Sequence, residues 1–81
     1  MGLTILFGDR ERKSSVDEIV RRARDVVDRA LGASDPAQMP VWHSVAMQIE
    51  CREQAEYARL LRAIERNCAQ RRIAVMGVRL A

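Results

Sequence analysis

VWHSVAMQIEC, residues 41 to 51, is the stretch on which the fold turns. Val45, Met47, Ile49 and Cys51 alternate with Ser44, Ala46, Gln48 and Glu50. That period of two predicts a strand with one buried face. The rival reading carries one long helix from Val41 to Arg71. Trp42, Val45 and Ile49 fit that helix, but Glu53 then lands on its apolar stripe. The strand reading gives an α+β domain; the helix reading gives an all-α helical bundle. We take the strand.

On its N-terminal side lies the surest helix, Ser15 to Leu31, SVDEIVRRARDVVDRAL. Val16, Ile19, Val20, Ala23, Val26, Val27, Ala30 and Leu31 recur at helical steps and form one broad apolar stripe. Ser15 is a good N-cap, and Glu18 three residues on completes a capping box. Asp17 and Glu18 suit the positive end of the helix dipole. Gly32 stands where a left-handed C-cap is wanted. Asp17 with Arg21, Glu18 with Arg22, Arg24 with Asp28 and Asp25 with Arg29 are spaced for ion pairs of roughly 0.2–0.5 kcal/mol each. The interleaved acids make Arg21 to Arg24 read as a solvated helix face rather than a nucleic-acid surface.

Before this helix, Leu3 to Phe7 is a short run of strand formers closed by Gly8-Asp9, as expected for a strand buried on both faces. Asp9 to Ser14, DRERKS, is a charged loop. After it, Gly32 to Pro40 reads as a connection with one short helical turn near Asp35-Pro36. Beyond the central strand, Glu53 to about Arg71 reads as a second helix, with Tyr57, Leu60, Leu61, Ile64 and Cys68 as its stripe. Asn67 can stop it, or it runs on to Arg71 or Arg72. Ile73 to Leu80 is a final strand.

The expected order is β-α-β-α-β: a small three-stranded sheet, parallel or mixed, packed with two helices as a two-layer α/β sandwich. The strand–helix–strand unit from Val45 to Leu80 is similar, in order of elements, to half of a ferredoxin-like module. The 81 residues form one domain, 1–81.

Composition bounds the function. Thirteen of the 14 basic residues are Arg, and the formal net charge is +3. Arg outperforms Lys in bidentate anion recognition, but an excess this small and this evenly spread does not by itself indicate nucleic acid. Cys51 and Cys68 show no metal-ligand spacing and read as ordinary thiols. One His makes no metal site, and His43 reads as a strand-end surface residue. As part of a strand it would lie roughly 26 Å from Cys51, too far for a Cys51–His43 pair; a pair with Cys68 stays open in the sequence, though nothing visibly activates that thiol. No apolar run is long enough for a transmembrane helix, and Leu3 to Phe7 is too short for a signal peptide. A cytoplasmic protein without a membrane partner is expected, with no cofactor.

Three candidate sites follow. The loop 9–15, with Arg10, Arg12 and Lys13, leaves a strand and enters a helix N-terminus, where anions bind. It lacks the glycine spacing of a phosphate loop. Trp42 is a plug for the core or, if exposed, an interface anchor. Arg71 and Arg72 fit a helix C-terminus, and Arg79 is the one charge near the end of an otherwise apolar edge strand. The expected function is a small, non-catalytic protein–protein interaction protein: an adaptor, inhibitor or assembly subunit. It would act through a sheet edge or a helix face, with a homodimer through the edge as one form. The alternative is a nucleic-acid or anion-binding module using loop 9–15 with Arg71 and Arg72.

Overall fold

The computed structural model describes residues 2–32 and 39–80. Two helices and a four-stranded antiparallel sheet make an α+β fold, which excludes the helical bundle. The elements are β1 (Gly2–Gly8), α1 (Val16–Leu31), β2 (Val41–His43), β3 (Ala46–Glu50), α2 (Gln54–Cys68) and β4 (Ala74–Leu80). The sheet order is β2-β3-β1-β4. The whole chain therefore follows the split β-α-β-β-α-β order of ferredoxin-like modules.

Two expectations about the sheet are corrected. Residues 41–51 form two strands, not one, so the order is β-α-β-β-α-β and the sheet has four strands rather than three. The chain reverses at Ser44-Val45, pairing Trp42 with Met47 and His43 with Ala46. Ser44 takes φ 54°. A positive φ at the first residue of a two-residue turn is the geometry of type II′ hairpins, whose twist matches that of the strands. β3 lies between the two strands of the first crossover and β1 between those of the second, and every pairing in the sheet is antiparallel rather than parallel or mixed.

Both helices cover the same sheet face. Leu3, Ile5 and Phe7 of β1, Met47 and Ile49 of β3, Ala23, Val26 and Val27 of α1, and Tyr57 and Ile64 of α2 share one core. On the other face Leu6 is exposed, with Gln48, His43 and Arg79 around it. β1 is thus buried on one face only, not on both. A sheet with one solvated face alternates, and the burial of β1 from Leu3 onward and of β3 does so.

α1 is capped as its sequence requires. The Glu18 N–H donates to Ser15 Oγ at 3.2 Å and the Ser15 N–H to Glu18 Oε1 at 3.5 Å. Gly32, at φ 53°, returns its N–H to the Asp28 carbonyl at 2.9 Å. α2 is less well capped: Glu53 makes no side-chain cap bond. Asn67 does not stop α2; its Nδ2 donates to the Ala63 carbonyl at 2.8 Å, and the helix runs to Cys68. The helical turn expected near Asp35-Pro36 lies outside the described residues. Among those residues no helix is long and apolar enough to cross a membrane.

Candidate functional site: an open edge and an arginine cleft

β4 is an edge strand of seven residues, paired on one side with β1 and on the other with no strand among the described residues. Leu80 pairs with Leu3 and Val78 with Ile5. Leu3 and Ile5 are fully buried, so Val78 and Leu80 belong to the helix-covered face. Yet they remain 46% and 56% exposed. The helix layer stops short of the outer edge of the sheet and leaves a shelf of apolar side chains. Register shifts between Leu6 and Phe7, where Met76 is the extra residue of a bulge. Met76 lies over Gly8 on the open face and is 54% exposed. Arg79 pairs with Thr4 on that face and is the only charge on β4. The opposite edge, β2, has three residues and follows Pro40. Short strands and prolines blunt an edge, so β4 is the available one.

Loop 9–14 is closed on itself by hydrogen bonds. Asp9 supplies the anion itself. Its carboxylate accepts from the backbone N–H of Glu11 at 2.9 Å, Lys13 at 3.2 Å and Ser14 at 3.0 Å, and from Ser14 Oγ at 2.7 Å. These hydrogen bonds, that of the Ser14 hydroxyl first and the Glu11 N–H next, hold the Asp9 carboxyl below its ordinary value of 3.8. A lowered pKa contributes stability above pH 3.8 that is lost as pH falls through the folded value. We therefore expect the Asp9 carboxyl to titrate below pH 3.8, with the amide shifts of Glu11, Lys13 and Ser14 moving together in NMR spectra. In Asp9→Ala the Ser14 amide should lose its protection from exchange; unchanged protection would show that the loop is held by other bonds.

The basic residues gather elsewhere. α1 and the turn after α2 meet at one end of the helix layer. Arg22 Nη1 donates to Ser14 Oγ at 2.8 Å and to the Arg72 carbonyl at 3.3 Å. Its Nη2 pairs with Glu18 at 3.2 Å. Arg71 Nε pairs with Asp25 at 2.9 Å, and its Nη1 donates to the Asn67 carbonyl at 3.3 Å. Arg21, Arg22, Asp25, Arg71 and Arg72 line a cleft of about 450 Å³. A neighbouring hollow of about 570 Å³ shares Arg71 and Arg72 and adds Arg10, but Asp9, Glu11 and Glu65 line it too. Arg12 and Lys13 line neither, and Lys13 faces Glu11 at 3.8 Å.

Sequence reading missed Arg21 and Arg22 as partners of Arg71 and Arg72. The two pairs are some fifty residues apart, as the contact from Arg22 to Arg72 shows. Only the strand order could have brought them together. Of the four spaced ion pairs, those that close are Glu18–Arg22 and Asp25–Arg29. Arg24 instead lies over the Trp42 ring, 5.6 Å from its centroid. Trp42 is half-buried and stacks on Phe7 with ring centroids 6.0 Å apart, so its ring is engaged within the chain by both Arg24 and Phe7.

Cys51 and Cys68 are buried free thiols, and burial pushes both above their ordinary value. His43 stands on the opposite, open face of the sheet. The hairpin voids the straight-strand separation of His43 from Cys51, and the sheet itself now divides them. Among the described residues no three His, Cys, Asp or Glu side chains converge as a metal set. No family model, curated protein or solved structure matches the chain.

Proposed function

We propose that this chain is a non-catalytic protein–protein interaction protein whose β4 edge accepts a strand from a partner. The supporting observation is the coincidence, along one edge, of unpaired backbone groups with the uncovered Val78 and Leu80. An added strand satisfies the backbone, and the side chains above it complete the core layer. Edge strands that are not meant to pair commonly carry Lys, Pro or an inward-pointing charge; on β4 only Arg79 is charged, and it faces the open side. A second copy of the chain, joined edge to edge, is the simplest partner. Adaptor, inhibitor and assembly subunit are forms of the same reading.

The nucleic-acid alternative gains little from the sheet. Single-strand binders stack bases on exposed aromatics. Phe7, Trp42 and Tyr57 are the only aromatics in the chain, and all pack into the core on the helix side.

The test is sedimentation velocity across a concentration series, paired with amide exchange of β4. The expected result is concentration-dependent association with new protection of β4 amides. Val78→Lys with Leu80→Lys should abolish both while circular dichroism stays native, since neither residue is buried. If the chain remains a monomer and no partner captured from host lysate is lost in the double variant, the edge reading fails.

A further inference from the structure

The cleft between α1 and the turn after α2 carries an inference independent of the edge. Its lining is four guanidinium groups and one carboxylate. That carboxylate, Asp25, is already engaged by Arg71 Nε at 2.9 Å and by Arg29 Nε at 3.4 Å. Little negative charge is left to face the opening.

The four arginines fall into two kinds. Arg22 and Arg71 are fixed: their side chains are 26% and 19% exposed and are held by Glu18, Ser14, Asp25 and two backbone carbonyls. Holding a guanidinium in place beforehand removes much of the ordering cost of binding. Arg21 and Arg72 are exposed and have no ion-pair partner among the described residues. A fixed pair beside a free pair suits an anion with several oxygens, because each planar guanidinium presents two parallel N–H donors. A single carboxylate uses two such donors; a tetrahedral dianion spreads more acceptor oxygens and more charge over the same space. The neighbouring hollow, where Asp9, Glu11 and Glu65 face Arg10, does not share this imbalance.

We infer that the Arg21, Arg22, Arg71 and Arg72 cleft is a binding site for the phosphate group of a small phosphorylated ligand. The site is built from helix and turn positions far apart in sequence, so it exists only in the folded chain. It does not involve β4, and it survives if the edge reading fails.

Arginine Nε–Hε resonances in a proton–nitrogen NMR titration read the site directly. The probes are inorganic phosphate, pyrophosphate and glycerol 3-phosphate, each against sodium chloride at equal ionic strength. Saturable shifts confined to the cleft arginines are expected, larger for the phosphates than for chloride. Arg21→Gln and Arg72→Gln should each weaken binding about tenfold, roughly one charge-assisted contact. Both side chains are exposed, and the Arg72 bond to Arg22 uses its backbone carbonyl, so the variants should fold. Arg10→Gln, outside the cleft, should bind as the parent does. Vesicles containing phosphatidic acid, set beside glycerol 3-phosphate, separate the two sources of the group. Capture by vesicles but not by the free ester assigns a lipid headgroup; the reverse assigns a soluble ester. Shifts spread over all arginines in step with ionic strength, or unaltered binding in both Gln variants, overturn the inference.

Discussion

Phe7→Ala is expected to cost about 3–5 kcal/mol of stability, the range for a buried aromatic truncated to alanine. A chain of 81 residues typically has only about 4–12 kcal/mol in total, at 0.05–0.15 kcal/mol per residue. The variant should therefore be largely unfolded or melt at least about 12 °C lower. Phe7 is a central-strand residue exposed to only 2%, and it supports three things at once. It fills the core beneath the helices, it stacks on Trp42 at 6.0 Å, and it sits beside the β4 bulge. Its N–H donates to the Val45 carbonyl at 3.0 Å; alanine keeps that bond, so the loss belongs to the side chain. Trp42 is the only tryptophan, and its fluorescence should shift to the red as water reaches the exposed ring face. Phe7→Leu keeps most of the volume and should cost less than the alanine variant. A Phe7→Ala protein that melts with the parent would mean that Trp42 swings in to fill the gap.

The features legible in the sequence were those whose partners are close along the chain. Ser15, Glu18 and Gly32 fix the ends of α1 through bonds spanning three or four residues, and each appears where the sequence puts it. The alternation of Met47 and Ile49 showed that 41–51 is sheet. What it hid was the reversal. Hairpin turns are normally betrayed by Asn-Gly or Asp-Gly, whereas Ser44-Val45 contains neither and Ser44 takes the positive φ itself. One trace was present. Trp42 is out of phase with Met47 if the strand is continuous, yet both pack inward. A large aromatic on the wrong parity marks a turn between the two.

The candidate sites divide in the same way. The open edge was legible because β4 is apolar with one charge, though the sequence could not show that Val78 and Leu80 escape the helices. In loop 9–14 the run of charges hid a local turn. Aspartates at the start of turns bond their own downstream backbone, and Asp9 does so with three N–H groups and a hydroxyl. Whether Arg71 and Arg72 join the loop arginines was not legible in the sequence; Arg10 shares a hollow with them. Their closer neighbours, Arg21 and Arg22, follow from strand order, which rests on contacts between distant segments.

Ile64→Ala should be the next most damaging change, at about 2–5 kcal/mol. α2 has three buried residues, Tyr57, Ile64 and Cys68, and no side-chain cap at Glu53. Helices of this length rely on tertiary packing rather than on propensity, and Ile64 is the one member of the three with no exposure at all. Leu60→Ala and Leu61→Ala remove as many atoms from half-buried positions and should cost less. Ile64→Val, losing one methylene, should cost about 0.5–1.5 kcal/mol. Urea melts followed by far-ultraviolet dichroism and by Trp42 fluorescence distinguish two ways of failing. Coincident curves mean that the whole domain loosens as one unit. A dichroism loss that precedes the fluorescence change means that α2 leaves first. The second outcome would reach both proposed surfaces, because the turn after α2 carries Arg71 and Arg72 and leads directly into β4. Phosphate-induced shifts should then fade at urea concentrations where Trp42 is still buried. An Ile64→Ala loss below about 1 kcal/mol would mean instead that the helix collapses onto the space and that no single α2 residue anchors it.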